Sequence, residues 1–192
     1  MGASGHHSCH APARRSAGIV TGSLRIALLR GVNVGGVTVK SAQLADVFRG
    51  LGFSDVRTVL ASGNVLFDGA GGRAEQAAAI ERGLSEEFGY PARVIVTDQP
   101  AVAAIVDAYP FPEVDDRQPY VIFTGEPTDV AALTDAATGL DDEIERVQPG
   151  NGVLYWEVRK GMSTDSTFSK RTGKTPGILT TTRNLRTLRK LL

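Results

Sequence analysis

Apolar positions along this chain keep two alternating rhythms. LRIALLR (residues 24–30) is almost continuously apolar and reads as a strand, with order beginning near Ser23. GVNVGGVTV follows as a glycine-rich loop. Ser41 is placed to cap a helix whose stripe is Leu44, Val47, Phe48 and Leu51, and Gly52 ends it. VRTVLA (56–61) and NVLFD (64–68) flank Ser62 and Gly63 and read as a hairpin. Ala77, Ile80, Leu84 and Phe88 recur at helical spacing up to Gly89 and Pro91, and RVIVT (93–97) is a strand again. The order β-α-β-β-α-β over residues 23–98 is that of the ferredoxin-like split βαβ unit, an α+β class.

Residues 99–192 repeat the pattern imperfectly. Val102, Ile105 and Val106 predict a helix ending before Pro110, and YVIFT (120–124) a strand. Pro127 to Ala137 reads as a helix with proline in its first turn. Glu143–Val147 and Val153–Arg159 read as a hairpin around Pro149–Gly152, and helices fit near Ser166–Arg171 and Arg183–Leu192. Several strands are apolar on both faces: Ile26 and Leu28 oppose Ala27 and Leu29, and Val94 and Val96 oppose Ile95. The free face of the first sheet should therefore be covered, by the second unit, with a groove between the two as the natural place for a ligand.

Charge changes this picture. The chain has 21 basic and 21 acidic side chains among 192 residues, yet residues 1–97 carry 10 basic and 7 acidic, residues 98–157 carry 2 and 13, and residues 158–192 carry 9 and 1. Such segregation means internal pairing or two faces of opposite sign, and an anion is best sought near the basic C-terminal block. No apolar run approaches the ~18–20 residues needed to cross a bilayer, so a membrane partner is not expected.

Chemistry is narrowed further by what the body of the chain lacks. The one cysteine, Cys9, and all three histidines, His6, His7 and His10, fall in the first ten residues, and from Ile19 onward there is neither type. Cys- or His-based nucleophilic catalysis, zinc sites and iron–sulfur ligation are thereby excluded from the folded part, and neither a metal nor a cofactor is expected. A single cysteine allows no internal disulfide and fits a reducing cytosol. Residues 1–22 are rich in Ala, Gly and Ser with no hydrophobic period and are expected to be a disordered leader, native or appended.

Four segments carry candidate chemistry. In the loop after the first strand, Arg30, Asn33, Gly35 and Gly36, with Lys40 before the helix, could hold an anion on backbone amides and cations; a turn that merely needs positive φ angles is the competing reading. Ser62 and Asn64 put polar groups at the sheet end, or simply make the hairpin turn. Thr182, Arg183 and Asn184 precede leucines 185, 188, 191 and 192 on one helix face, with Arg186, Arg189 and Lys190 off it. One threonine of Thr180–Thr182 should cap that helix. A cation as early as Arg183 implies either a bound anion or a salt bridge to the acidic block. The fourth segment, Ser163–Lys174, offers serines and lysines without a spacing that demands a Ser–Lys dyad. Asp115–Asp116 and Asp141–Glu143 read as solvated loops rather than magnesium ligands, and Tyr155 and Trp156 as core.

IALLRGVNVGG, LGFSDVRTVLASGNVLFD, GVLYWEV and TTTRNLRTLRKL, in that order, resemble the bacterial family known as domain of unknown function 1697. The resemblance runs from about Leu24 to the C-terminus and implies two ferredoxin-like α/β-plait subdomains packed together, 23–98 and 99–192. It implies no activity. Its matched positions are Arg30, Gly31, Asn33, Gly35, Gly36, Ser62, Gly63, Asn64, Trp156, Thr182, Arg183, Asn184 and Thr187, which suggests that the three segments around Arg30, Asn64 and Arg183 share one site. The expected function is binding of a small anionic, phosphate-bearing or nucleotide-like ligand between the subdomains. The alternatives are a protein-interaction scaffold and a nucleic-acid-binding module. The acidic block and the single aromatic, Phe67, on the two central strands argue against nucleic acid.

Overall fold

The structure is a computed structural model, and residues 24–31, 39–173, 175 and 177–192 are described. The leader, Asn33, Gly35, Gly36 and Lys174 lie outside the described residues.

Strand β1 (Arg25–Arg30) leads to helix α1 (Ser41–Gly50), hairpin strands β2 (Ser54–Thr58) and β3 (Asn64–Asp68), helix α2 (Arg73–Phe88) and strand β4 (Arg93–Asp98). These strands form an antiparallel sheet in the order β2-β3-β1-β4. Helix α3 (Gln99–Asp107) starts at Asp98, whose carboxylate accepts the Ala101 amide at 3.0 Å. Then come β5 (Arg117–Thr124), α4 (Asp129–Asp135), β6 (Glu145–Pro149), β7 (Val153–Arg159), α5 (Thr167–Thr172), β8 (Thr180–Asn184) and α6 (Leu185–Arg189). The second sheet, in the order β6-β7-β5-β8, is also antiparallel throughout. The chain is thus mixed α+β, and the second β-α-β-β-α-β run repeats the strand order of the first.

The two-faced strands are explained by three apolar clusters. Ala27 and Leu29 of β1 face α1 and α2, joining Leu44, Phe48, Ile80 and Leu84. Ile26 and Leu28, on the other face, join Leu66 of β3, Val121 and Phe123 of β5, Tyr155 of β7, Val102 of α3 and the leucines of α6. This shared cluster makes the two sheets one body. A third cluster, with Trp156, Leu154, Leu133 and Phe168, lies under α4 and α5. Truncating a fully buried Leu such as Leu28 to Ala should cost about 2–5 kcal/mol.

Three local expectations are corrected. Helix α1 begins at Ser41 itself, with Lys40 in the cap position and no side-chain cap. Strand β2 starts two residues earlier than the apolar run, with a register shift between Ser54 and Arg57 where Asp55 takes a φ of 50°, and it ends at Thr58, ahead of the turn in which Leu60 takes a φ of 61°. The threonine run is strand rather than helix cap: β-branched Thr180–Thr182 pair with β5, and Asn184 caps α6 by accepting the Arg186 amide at 2.9 Å.

Candidate functional site

Strand β8 alternates. Thr181 and Arg183 point inward and are buried, while Thr182 is exposed. Arg183 therefore enters the junction between the sheets, 7% exposed, opposite the end of β1 and the β2–β3 turn. There the β1–β3 ladder runs out. Leu29 donates its N–H to Gly63 at 2.9 Å, but no backbone amide takes the Leu29 carbonyl on that side; Arg183 Nη2 (2.7 Å) and the Thr181 hydroxyl (3.1 Å) do.

All five guanidinium N–H groups are used. Nε donates to Asn64 Oδ1 at 2.5 Å, Nη1 to Thr181 Oγ1 (2.7 Å) and the Thr182 carbonyl (2.9 Å), and Nη2 to the Leu29 and Gly63 carbonyls (2.7 and 3.3 Å). Asn64, with no exposed surface, in turn donates Nδ2 to the Val59 carbonyl (3.0 Å) and to Ser62 Oγ (2.9 Å). Every acceptor around Arg183 is a neutral oxygen. The sequence offered a bound anion or a salt bridge to explain this cation, and the structure gives a third answer: a buried hydrogen-bond network. Burial lowers the Arg183 pKa to about 10.

Asn64, Ser62 and Arg183 thus meet, but as each other's partners, and no Arg183 donor is left over. Arg30 is exposed at the end of β1 and reaches the Ile178 carbonyl at 3.2 Å, a second tie between the halves. Lys40 is exposed at the start of α1, whose Leu44 and Phe48 pack on the opposite face of the first sheet from the junction. Among the described residues, the members of the acidic block that form salt bridges, Asp98, Glu113 and Glu157, pair with arginines other than Arg183. Glu157, buried, is held by Arg117 and Arg146, and Arg189 Nη1 binds Glu113 at 3.0 Å and lowers its pKa. Ser166 caps α5 by accepting the Ser169 amide, and Trp156 and the Phe168 amide bind the buried Glu145 carboxylate.

The residues after Arg183 turn outward. Leu185, Leu188 and Leu191 are buried in the shared cluster, so Asn184, Arg186, Thr187 and Lys190 take the other side of α6. They form one wall of a cleft of about 480 Å³. Lys160 and the Glu113–Pro119 segment line it from the second half, and Leu60, at the tip of the β2–β3 turn, lines it from the first. Its two acids are Glu113, already held by Arg189, and Asp115; Arg117 is taken up by Glu157 and the Asp142 and Glu143 carbonyls. Among the described residues, Lys160, Arg186 and Lys190 make no salt bridge. Of the ligand-binding residues expected from sequence that are described, only Asn184 lines this cleft; Thr187 from the resemblance joins it, as do Asp115, Arg186 and Lys190, which the sequence reading noted without assigning them to the site. Lys160 and Leu60 were missed; the outward placement of Arg186 and Lys190 was the signal that pointed here.

A family model described as protein of unknown function, DUF1697, matches residues 23–155. The structure of a conserved bacterial protein from Streptococcus pneumoniae is similar, with a TM-score of 0.72 and 23% identity over 88% of this chain and 96% of that one, which speaks to fold alone. Comparison with curated proteins gave no match. Among the described residues no helix is long and apolar enough to cross a membrane. The matched span takes in β1 through the first part of β7, the β2–β3 turn and the acid side of the cleft, and on that match the chain belongs to the DUF1697 family, proteins of unknown function.

Proposed function

We propose that this chain binds a small anionic ligand, phosphate-bearing or nucleotide-like, in the cleft between the β2–β3 turn and α6. The observation that carries the reading is the set of three cations that make no salt bridge among the described residues, Lys160, Arg186 and Lys190, on one concave surface whose acids are Asp115 and the already paired Glu113. Lysine and arginine at one mouth supply charge and forked donors to a phosphate or carboxylate. Asn184, Thr187 and Gln118 add neutral hydrogen-bonding groups. Arg183, Asn64 and Ser62 support the site from behind, by fixing the Leu60 turn to β8. The repeated strand order supports the finer fold reading as well: two ferredoxin-like units, 23–98 and 99–192.

The test is a thermal-shift and calorimetry panel of inorganic phosphate, sugar phosphates and nucleotides on the full chain. A ligand at 100 times its Kd stabilises by about 2.7 kcal/mol, a shift easily read. The reading expects at least one hit that Arg186→Ala and Lys190→Ala weaken tenfold or more. A panel with no hit, or a hit indifferent to both substitutions, contradicts it. One observation favours a second reading, a protein-interaction scaffold: two of the residues expected from sequence to bind the ligand, Asn64 and Arg183, are consumed in holding the halves together. An empty ligand panel would shift the weight to that reading.

A further inference from the structure

The tip of the β2–β3 turn holds an unusual residue. Leu60 has a φ of 61°, in the left-handed region that L side chains with a Cβ avoid, and its side chain is 47% exposed. Glycine or asparagine would relieve the backbone, and a polar side chain would suit the exposure. The strain is also enforced. Val59 and Asn64 are tied by a backbone bond of 2.9 Å, and the buried Asn64 amide grips the Val59 carbonyl and Ser62 from inside the loop. Gly63, at a φ of 69°, completes the turn with its carbonyl held by Leu29 and Arg183. The loop cannot relax without breaking the junction. A leucine kept in an unfavourable conformation, in the open, stands on the lip of a cleft walled mainly by charged and amide side chains, with Val114 and Pro119 as its other apolar lining.

We infer that Leu60 is a specificity contact, and that the ligand is an anion bearing an apolar or planar group, rather than a bare phosphate or a polyol phosphate. This inference rests on the cleft reading and narrows its ligand class. The anionic group meets Lys160, Arg186 and Lys190, and the apolar group covers the Leu60 side chain and removes it from water. Strain retained at an exposed side chain is the mark of a position where a binding contact outweighs stability.

The experiment compares three probes of one charge type by calorimetry: inorganic phosphate, glycerol phosphate and phenyl phosphate. They are titrated into the wild-type chain, Leu60→Gly and Leu60→Ala. The wild type should favour phenyl over glycerol phosphate by about tenfold, the size expected from covering one aliphatic side chain. Leu60→Gly should raise Tm by about 2–4 °C, because glycine adopts this φ freely, while abolishing the phenyl preference, so that phenyl and glycerol phosphate bind alike. Leu60→Ala keeps the backbone constraint and should lose the preference too, which separates loss of the side chain from loosening of the loop. Equal binding of phenyl and glycerol phosphate by the wild type, or a preference that survives in both variants, overturns this inference and leaves the cleft reading standing. Failure of all three probes to bind overturns the cleft reading and this one with it.

Discussion

Two groups of basic residues lie within eight positions of each other and meet opposite fates. Arg183 is buried, and each of its five N–H groups reaches an oxygen of the protein. Arg186 and Lys190 are exposed on a cleft and make no salt bridge among the described residues, although, after the hydrogen bond from Arg189, the charge of Arg186 helps to lower the Glu113 pKa. The difference is set by geometry. The period-two alternation of β8 sends residue 183 inward, and the leucine stripe of α6 sends 186 and 190 outward. A charge with its donors satisfied inside the fold is part of the scaffold. A charge left open on a concave surface is available to a ligand. Sequence strength and availability run in opposite directions here.

The harshest way to break the comparison is Arg183→Ala. It strips Asn64 Oδ1 of its partner, leaves the Leu29 carbonyl with the Thr181 hydroxyl alone, and opens a void in a buried site, where an unpaired polar group costs about 1–3 kcal/mol. A loss of about 3 kcal/mol or more is expected in urea denaturation, a large share of the ~5–15 kcal/mol a domain possesses. Lysine in its place should rescue little, since it cannot reproduce the fork. Next, Lys160→Ala, Arg186→Ala and Lys190→Ala should each change stability by no more than about 0.5 kcal/mol, as exposed residues without partners do. The same variants should weaken anion binding about tenfold, and raising salt should mimic them. A cleft variant that unfolds the protein would erase the distinction.

Two smaller tests ask whether the rule holds elsewhere. For Asp98, burial pulls the pKa up, but the Ala101 amide, Arg73 and Arg25 together bring it below the ordinary carboxylate range. Its folded-state pKa is thus depressed, so its stabilisation is present above the unfolded pKa and is lost as the pH falls through the folded one. Asp98→Asn keeps the helix cap, should cost about 1–2 kcal/mol at pH 7 through the weakened arginine bonds, and should flatten the loss of stability below about pH 4. Tyr109 is the converse case. Its hydroxyl is buried with no partner, and burial, reinforced by Glu157 and Glu113 against Arg146, pushes its pKa well up. Tyr109→Phe should therefore be neutral or stabilising by up to about 1 kcal/mol in thermal melts; a marked loss would reveal a bond the structure does not contain.

Much of the fold was legible because period-two and helical stripes report burial directly. Ile26 and Leu28 against Ala27 and Leu29 announced a sheet covered on both faces, and the covering cluster is there. The hairpin around Pro149–Gly152 and the α2 stop at Gly89 were equally plain. The threonine run before α6 was misread because a cap and a strand favour the same residue, and only pairing with β5 decides between them. The site was harder. Arg183 carried the strongest signal, but a sequence does not say whether an arginine's partners come from a ligand or from Leu29, Gly63 and Asn64, up to 154 positions away. Leu60 and Lys160 gave no signal, since one is an ordinary apolar residue in a strand-like run and the other an ordinary surface lysine. Their neighbourhood exists only after both sheets have docked.

The most direct test is an NMR titration of the full chain with phenyl phosphate. Both backbone amides and arginine Nε–H groups would be followed. The account predicts shifts concentrated at Leu60, Lys160, Asn184, Arg186, Thr187 and Lys190, with the Arg183 Nε–H unmoved because it stays bonded to Asn64. Shifts centred on Arg30, Asn64 and the Arg183 Nε–H, with the cleft silent, would contradict it and return the junction to the role of binding site.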